Sequence, residues 1–365
     1  MNMARAYLEK LTLTGFRNYE TAVFDFVQGI NLLWGSNGAG KTNVLDAIHY
    51  LCLTKSFLNQ SDQQNIRFGD PAFIIRGIFS EKDMPVSVVC SVQRDEKKIF
   101  RVQEEIYRKI SAHIGRFPLV AILPGDYAII SEGSDRRRKF TDGVIAQYNP
   151  EFLDSLLQYQ AVLEQRNKYL KQVRENPSLT LSLMDVYNQQ LDALGSFIHA
   201  RRKAFLEMFA GYFSDCYRSI SGQDDEVHIK LLAGFEGNSP LEEMERALKK
   251  DIANGFTSSG AHRDDLEFTL NTLPLKRYAS QGQQKSFLIA LRLASHSLLH
   301  KSLGTPPALL IDDFSDKLDA GRSQRLTELL TGRDFGQVFI TDTAEIAGLK
   351  GSATGTAQVQ SIRIG

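Results

Sequence analysis

The spacing of hydrophobic positions changes near residue 130. Before that point, Leu11 and Leu13 alternate with threonines, and apolar runs recur at about 72–79, 86–93 and 97–102. Alternation with a period of two, and short apolar runs separated by turn residues, are typical of β-strands. The first third of the chain is therefore expected to be rich in strands.

After residue 130 the hydrophobic positions recur every three or four residues, which is typical of amphipathic helices. A polar break containing a proline divides this region at 175–180. The pattern predicts an antiparallel helical hairpin in a compact lobe, too short for a long coiled-coil arm, and we interpret its apolar stripes as core. The first stripe comprises Phe152, Leu156, Tyr159, Leu163, Leu170 and Val173, and the second comprises Tyr187, Leu194, Ile198, Phe205, Met208 and Tyr212.

Composition narrows the class of protein. The 365 residues are 42% apolar and 24% charged, which is typical of a folded globular chain of two domains or of one domain with a large insertion. No apolar run approaches about 18 residues and the N-terminus lacks a signal core, so we expect a cytoplasmic protein without a membrane partner. The three cysteines, Cys52, Cys90 and Cys216, are too scattered for a metal site and are interpreted as buried thiols.

A glycine-rich segment at 35–42 matches the phosphate-loop pattern GxxxxGK[ST]. An apolar strand at 30–34 precedes it and a helix follows, which is the setting that the pattern requires. Glycines let backbone N–H groups converge on a polyphosphate at the positive end of the helix, while Lys41 reaches the β and γ phosphates and Thr42 binds Mg²⁺. The predicted ATP-binding residues of this loop are Gly35, Ser36, Asn37, Gly38, Ala39, Gly40, Lys41, Thr42 and Asn43.

Two carboxylates at the end of a second apolar strand supply the other half of an ATPase site. The run 308–311 suits a buried parallel strand and is followed by Asp312 and Asp313. In P-loop enzymes the first such aspartate holds Mg²⁺, and the second acid orients or deprotonates the attacking water. We therefore predict ATP and Mg²⁺ as cofactors, with Asp312 and Asp313 as catalytic residues and with Thr42 and Asp312 as metal ligands.

The loop and the acid pair must lie together in space, although most of the chain separates them. One ATPase head is then assembled from both ends of the chain. The predicted domains are the N-terminal part of the head at 1–130, an inserted helical lobe at 131–225, and the C-terminal part of the head at 226–365.

The segment "ASQGQQKS" at 279–286 begins a further predicted helix. Its serine and its exposed N–H groups at a helix N-terminus make it either an ordinary serine N-cap or an anion site. The residues alone leave both interpretations open. Its position, about one helix before the acid pair, favours the anion site, because the signature motif of ATP-binding-cassette (ABC) ATPases occupies the same place.

Seven stretches over nearly the full length carry a likeness to one family. They are "LTLTGFRNYE" at 11–20, "GSNGAGKTNVLDAI" at 35–48, "GSDRRRKFTD" at 133–142, "LEQRNKYLK" at 163–171, "GAHRDDLEF" at 260–268, "SQGQQKSFLIALRLA" at 280–294 and "LLIDDFSDKLD" at 309–319. With them the chain resembles the RecF family of bacterial recombination and repair ATPases, whose heads are similar to those of SMC proteins. The resemblance implies an α/β fold, a P-loop NTPase of the ABC/SMC-head type with an inserted, mainly helical lobe.

The resemblance also implies that the signature acts in trans. The signature of one subunit caps the γ-phosphate of ATP held by a second subunit, which adds Ser280, Gly282 and Gln283 to the ATP site. It implies a weak ATPase that works as an ATP-gated homodimeric clamp on duplex or gapped DNA, in recombinational repair and replication-fork maintenance. RecR and RecO are the implied partners, and loading of RecA at gaps is the implied outcome.

Four positions depart from common patterns. Gln281 stands where transporters carry glycine, which fits the RecF group. Asp313 replaces a glutamate, and its shorter side chain predicts slow hydrolysis. Asp316 replaces the usual serine of the D-loop, which puts its contacts in trans in doubt, and Asp342 stands at the expected switch histidine. These departures suggest a clamp rather than a fast motor.

Any DNA contact must come from local patches, because lysine plus arginine equals aspartate plus glutamate at 43 each. The two densest basic runs supply the predicted DNA-binding residues, with the ordinary solvated surface as an equal alternative for each run. Phosphate contacts of this kind do not read the base sequence. The predicted residues are Arg136, Arg137, Arg138 and Lys139 in the first run and Arg201 and Arg202 in the second.

Two other classes compete with the DNA clamp. The ATPase subunit of an ABC transporter is disfavoured by the "GFRN" segment of the N-terminal strand, the missing switch histidine and the large inserted lobe. An ATPase-linked nuclease of the overcoming-lysogenisation type needs a carboxylate-rich metal domain after the ATPase. Only about 45 residues follow Asp319 in this sequence.

Overall fold

A computed structural model describes residues 6–235, 239–317, 319–332, 335–350 and 358–365. It contains three sheets and a set of helices that range from single turns to 40 residues. The described part includes no helix that is both long and apolar enough to cross a membrane.

The strands occur in the following order along the chain. They are β1 (Tyr7–Phe16), β2 (Tyr19–Asp25), β3 (Ile30–Trp34), β4 (Ala72–Glu81), β5 (Met84–Gln93), β6 (Ile99–Val102), β7 (Glu105–Ile106), β8 (Leu119–Ile122), β9 (Val227–Leu232), β10 (Asp265–Leu270), β11 (Leu273–Pro274), β12 (Ala308–Ile311), β13 (Val338–Asp342) and β14 (Val359–Arg363).

The α-helices are α1 (Lys41–Leu53), α2 (Ala128–Ser131), α3 (Ser134–Tyr148), α4 (Pro150–Glu175), α5 (Ser182–Ser221), α6 (Pro240–Arg246), α7 (Leu248–Asn254), α8 (Leu275–Tyr278), α9 (Gln281–Leu303), α10 (Phe314–Lys317), α11 (Ala320–Gly332) and α12 (Ala347–Lys350). Short 3₁₀ turns cover Asp62–Asn65, Ile110–His113, Pro124–Tyr127 and Ala261–Arg263.

A five-stranded parallel sheet has the order β14-β3-β13-β12-β8. Strands β3, β8, β12 and β13 are largely apolar and buried, as expected where helices cover both faces of a parallel sheet, whereas the edge strand β14 is more polar. The carboxyl ends of β3, β13 and β12 therefore lie at the same edge, and these are the ends where the phosphate loop, Asp342 and Asp312 begin.

A second sheet is antiparallel, with the order β2-β1-β4-β5-β6-β7. Leu11 and Leu13 on β1 point inward and are fully buried, whereas Thr14 on the same strand is exposed, as the alternating pattern predicts. One hydrophobic cluster joins this sheet, helix α1 and the parallel sheet, since Val44 and Ile48 of α1 pack in it with Leu310 of β12.

The chain divides into two compact units. The first contains 1–127, 212–224 and 280–365, and the second contains 128–211 and 225–279. The sequence placed 226–365 in the head, whereas the structure groups 225–279 with the inserted unit. The reason is the sheet β11-β10-β9, whose strand β10 is tied to α3 by an ion pair between Asp265 and Arg137.

The helical hairpin predicted for the inserted region is confirmed. Helix α4 begins after Asn149, whose side chain caps the helix by accepting from Phe152 N–H, and Pro150 occupies the first turn, where no N–H is needed. The proline-containing break lies between α4 and α5, as the pattern predicted. Cys52, Cys90 and Cys216 are buried free thiols, and burial raises the pKa of Cys52 and Cys90.

Candidate nucleotide-binding site

The phosphate loop connects β3 to α1, and two of its glycines have no room for a side chain. Gly35 has φ +152°, and a Cβ there would lie 2.1 Å from the Ile364 carbonyl oxygen. Gly40 has φ +108°, and a Cβ there would lie 2.5 Å from Asn18 Nδ2. Because Gly40 is the N-cap of α1 and has no side chain, no side chain caps the first turn, and the N-terminus of α1 can accept an anion such as a phosphate.

Lys41 lies inside the curve of this loop. Its buried ammonium donates hydrogen bonds to the carbonyl oxygens of Gly35 (2.9 Å) and Ser36 (2.8 Å). Neutral carbonyl groups orient the ammonium but do not cancel its charge. The loop thus presents one positive charge beside the N-terminus of α1, where the helix dipole also favours an anion.

Asp312 is the buried carboxylate at the end of β12. Its Oδ1 accepts hydrogen bonds from Thr42 Oγ1 (2.9 Å) and Thr341 Oγ1 (2.7 Å), and its N–H donates to the Ile122 carbonyl oxygen (3.0 Å). A threonine hydroxyl and a carboxylate held side by side are the hard oxygen ligands that Mg²⁺ prefers. The donor set therefore fits the Mg²⁺ site predicted from the sequence.

Asp313 follows in a left-handed conformation, with φ +52°. Aspartate tolerates this conformation better than most residues do. The Asp313 N–H donates to Thr341 Oγ1 (2.9 Å), so the hydroxyl of Thr341 links the backbone of one acid to the carboxylate of the other. Strained backbone of this kind recurs at functional sites.

A cleft of about 730 Å³ opens at this edge of the parallel sheet. Its volume suits a nucleotide polyphosphate. The residues that line it come from the phosphate loop, from the end of β12 and from the end of β13: Asn37, Gly38, Gly40, Lys41, Thr42, Asn43, Asp313, Ser315, Asp342 and Thr343.

Asp342, at the position expected for a switch histidine, is buried and already engaged. Its carboxylate accepts from the backbone N–H of Ser315 (3.0 Å) and from the Ser315 hydroxyl, and also from the Thr343 N–H (2.6 Å). These contacts tie the start of α10 to the end of β13. The Asp316 side chain and residue 318 of the D-loop lie outside the described residues, so the expectation about Asp316 stays a prediction.

Ser280 is the N-cap of α9. Its hydroxyl accepts from Gln283 N–H (3.2 Å), and its own N–H donates to Gln283 Oε1 (3.0 Å), which is a complete capping box. Gly282 faces the guanidinium of Arg322, since a Cβ at Gly282 would lie 2.8 Å from Arg322 Nη1. In the described part of the chain, residues 280–283 do not line the cleft around Lys41. Their contact with ATP stays a prediction.

Two site residues were missed by the sequence analysis. Asn18 donates from Nδ2 to the Ala39 carbonyl oxygen (3.2 Å) and accepts at Oδ1 from Asn43 Nδ2 (2.7 Å), so it joins the phosphate loop to the first turn of α1. Arg17 pairs with the buried Asp46 of α1 at 2.8 Å. Burial raises the pKa of Asp46, and the Arg17 charge acts against that rise. The signal was the "GFRN" segment, which had counted only toward the family resemblance and against the transporter.

The basic runs predicted to bind DNA behave differently from one another. Arg202 is 3% exposed and pairs with Asp142 and Asp264, both at 2.8 Å. Arg137 forms a two-point pair with Asp265 (2.6 and 3.0 Å), and Arg138 donates to the Asp264 carbonyl oxygen (2.6 Å). These three arginines form internal cross-links in the structure, and their predicted contact with DNA stays a prediction. Turning a buried arginine outward to a phosphate would leave its carboxylate partner buried without an opposite charge, which costs free energy.

The remaining predicted cations are exposed. Arg136 pairs with Glu132 (2.7 Å) and Lys139 pairs with Asp135 (2.8 Å), each one helical turn away. Arg201 lies 4.0 Å from Glu151 and stacks over the Phe197 ring at 4.8 Å. Surface pairs of this kind are weak, so a phosphate can replace the carboxylate.

Comparison with known proteins places these observations in a family. The chain matches the model of the RecF/RecN/SMC N-terminal domain over residues 7–347. A DNA replication and repair protein RecF from Flavobacterium johnsoniae is 42% identical over 337 residues, which cover 92% of this chain and 94% of that one. A protein of the same name from Parabacteroides distasonis is 38% identical over 336 residues, covering 92% and 91%.

Solved structures agree with the sequence comparison. A structure of the recombination mediator protein RecF with ATPrS, in the RecFOR pathway, aligns with TM-score 0.87 at 25% identity and covers 99% of this chain and 97% of that one. The Smc head domain from Pyrococcus furiosus aligns with TM-score 0.56 at 16% identity, over 99% and 94% of the two chains, which shows the shared fold. The expected fold class, a P-loop NTPase of the ABC/SMC-head type, is confirmed.

Proposed function

Because this chain belongs to the RecF family, we propose that it is an ATP-dependent DNA-binding protein of recombinational repair and replication-fork maintenance. The observation that carries the proposal is the 2.9 Å contact between Thr42 and Asp312 beside the phosphate loop, which assembles an ATP and Mg²⁺ site from both ends of the chain. Membership of the family supports this function over the transporter and the nuclease alternatives.

In the proposed ATP site, Lys41 and the first-turn N–H groups of α1 bind the β and γ phosphates. Thr42 and Asp312 hold Mg²⁺, which neutralises charge on the phosphate oxygens. Asp313 orients the attacking water. Its side chain is one methylene shorter than that of a glutamate, and this shorter reach toward the water supports a weak ATPase.

We further propose that ATP joins two copies of the chain. In that arrangement Ser280 and Gly282 of one copy face the γ-phosphate held by Lys41 of the other, in a two-fold, isologous contact. The capping box leaves this possible, because it uses an oxygen lone pair of Ser280 and leaves the hydroxyl hydrogen available. Hydrolysis removes the γ-phosphate and so resets the dimer.

We propose that this dimer binds DNA, either as a duplex or at a junction between duplex and single-stranded DNA. Of the cations that the sequence suggested, Arg136, Lys139 and Arg201 stay candidates because they are exposed. By family resemblance we propose RecR and RecO as partners, RecA loading as the outcome and the cytoplasm as the location.

Molar mass in solution tests the core of this proposal. Sedimentation with and without a slowly hydrolysed ATP analogue and Mg²⁺ should show a shift from monomer to dimer, and the dimer should bind labelled duplex DNA more tightly than the monomer. A chain that binds ATP but stays monomeric with and without DNA would contradict the clamp.

A further inference from the structure

Two family motifs that the ATP site does not use, at 163–171 and 260–268, lie around one buried ion pair in the second unit. Arg166 is fully buried, and its Nη1 donates to Asp251 Oδ2 (2.9 Å) and to Thr257 Oγ1 (2.7 Å), while Nε donates to Asn188 Oδ1 (2.8 Å). Its Nη2 has no hydrogen-bond partner among the described residues. A buried pair of this kind is costly to desolvate, so its presence suggests that the position of Thr257 matters.

The segment 257–258 is fixed at several further points. Asn167 Oδ1 accepts from the backbone N–H (2.8 Å) and from the hydroxyl (2.7 Å) of Thr257. Asp251 Oδ1 accepts from the backbone N–H (3.0 Å) and from the hydroxyl (2.6 Å) of Ser258. The backbone that carries residue 256 is therefore rigid.

This anchored backbone presents an aromatic ring to solvent. Helix α7 ends at Gly255, whose left-handed conformation (φ +71°) reverses the chain and whose N–H donates to the Asp251 carbonyl oxygen (2.8 Å). Phe256, the next residue, is 44% exposed, whereas Thr257 is buried. The guanidinium of Arg263 lies 5.4 Å from the centre of the Phe256 ring and donates from Nη2 to the Thr257 carbonyl oxygen (3.1 Å).

Two exposed cations lie beside Gly255, the residue before Phe256. A Cβ at Gly255 would lie 3.0 Å from Lys171 Cγ and 3.2 Å from Arg174 Nη1, so both side chains flank the turn that precedes Phe256. Neither Lys171 nor Arg174 forms an ion pair with the described residues. A groove of about 420 Å³ continues along α4 from Lys171, and the one acid that lines it, Glu164, is paired with Lys168 at 2.7 Å.

We define the Phe256 patch as Phe256, Arg263, Lys171 and Arg174. We propose that this patch binds a DNA strand that carries an unpaired base. The Phe256 ring stacks on the base, because every base offers a π face, and the three cations contact the phosphates on either side. A base inside an intact duplex cannot reach the ring, so the patch prefers a gap or a single-strand junction to an uninterrupted duplex. The inference rests on the proposed DNA-binding function and assigns that function a second-unit site and a DNA form.

The test measures fluorescence anisotropy of the full chain, with ATP and Mg²⁺, on two labelled DNAs: an intact duplex and the same duplex with a short single-stranded gap. Phe256→Ala should weaken gapped-DNA binding by roughly 5- to 150-fold, the usual range for loss of one stacked base, and should leave duplex binding unchanged. Phe256→Leu, which keeps the apolar bulk but not the aromatic ring, should lose nearly as much. Phe68→Ala is the matched control, because it removes a 97% exposed ring from the first unit.

The charge arm uses Lys171→Gln with Arg174→Gln. It should weaken binding of both DNAs and lower the salt slope by about one to two, while the same pair of changes at Arg136 and Lys139 should have a smaller effect. Equal affinity of wild type and Phe256→Ala for gapped DNA would overturn the inference and leave the proposed function standing. Wild type that binds neither DNA would overturn both. A Phe256→Ala chain that keeps gapped-DNA affinity but loses association with RecR would reassign the patch to a protein partner.

Discussion

Thr42 Oγ1 donates a hydrogen bond to Asp312 Oδ1 at 2.9 Å, although 270 positions separate the two residues. The strands that precede them in the chain, β3 and β12, are not neighbours, because β13 lies between them. Thr341, near the end of β13, closes the gap by donating to the same carboxylate oxygen at 2.7 Å. The start of α1, the end of β12 and the end of β13 therefore meet at Asp312 Oδ1.

Lys41→Ala should abolish ATP binding. The ammonium is the charge that the phosphate loop presents, and the carbonyl oxygens of Gly35 and Ser36 hold it in place. Titration calorimetry of the variant with ATP and Mg²⁺ should give no measurable heat of binding. Lys139→Ala, which removes an exposed lysine from the second unit, should bind ATP normally. Equal ATP affinity of Lys41→Ala and wild type would mean that the loop is not the phosphate site.

Asp313→Asn should separate hydrolysis from binding. The amide keeps the shape and the backbone conformation but cannot orient or deprotonate water as a carboxylate does. Steady-state ATP turnover should fall about 100-fold or more, whereas ATP affinity should stay near that of wild type. A variant that hydrolyses ATP at the normal rate would remove Asp313 from the catalytic residues.

Ser280 distinguishes a helix cap from a contact in trans. Loss of the cap alone, in Ser280→Ala, should cost about 1 kcal/mol of folding stability. Ser280→Arg should in addition block the ATP-dependent dimer, because the bulky cation would occupy the place of the partner's γ-phosphate, while Lys41 and Thr42 of each monomer still bind ATP. Sedimentation with a slowly hydrolysed analogue measures this directly. If Ser280→Arg dimerises as wild type does, Ser280 is only a cap.

Arg202→Gln should destabilise the chain by about 3 kcal/mol, because it leaves the carboxylates of Asp142 and Asp264 buried without their partner. Burial by itself would raise the pKa of Asp264, but the hydrogen bond from His199 and the charge of Arg202 hold it below its usual value. Arg201→Gln is the neighbouring control and should change stability by less than about 0.5 kcal/mol, since that side chain is exposed. Urea unfolding at neutral pH gives both values.

His262 should make stability depend on pH between about 6.5 and 4. Burial, only partly offset by the hydrogen bond to the Thr257 carbonyl oxygen, lowers its pKa from 6.5 to about 4. In that window the unfolded chain binds a proton that the folded chain excludes, so stability falls as pH drops, by up to about 1.4 kcal/mol per pH unit for this group.

His262→Gln should remove this contribution from the slope of unfolding free energy against pH. His49 and His113 have pKa values lowered to about 4 in the same way, so a smaller slope should remain in the variant. The measurement is a series of urea titrations across the window. An unchanged slope would show that His262 takes up its proton as readily in the folded chain as in the unfolded one.

The sequence predicted the secondary structure around the candidate ATP site because its elements are local. The phosphate loop, the strand before Asp312 and the serine cap of α9 each occupy a few consecutive residues, and backbone geometry dictates which residue types they use. The contacts of Asn18 were not predictable in that way, because they depend on how β1 and β2 bring the "GFRN" segment against the loop.

The burial of individual arginines in the basic runs could not be predicted, for a related reason. Arg136 and Arg137 are adjacent in the sequence and equally basic, yet one lies at the surface and the other pairs with Asp265, 128 positions away. Helix geometry separates neighbouring residues by about 100°, so only the tertiary packing decides which of them turns inward. The acids of the "HRDD" segment were the available signal, since buried arginines need carboxylates.

The strand order of the parallel sheet has a consequence for the way the chain is made. Asn31 of β3 and Val338 of β13 are 307 positions apart, so β3 emerges from the ribosome long before β13 does. Until then the strand that leads into the phosphate loop has a bare edge on each side, which is a hazard for aggregation in a nascent chain. Closing so long a loop also makes formation of this sheet slow. We therefore expect the nascent chain to need protection of its exposed strand edges during synthesis. ATP binding should begin only after β12 and β13 have paired with the early strands.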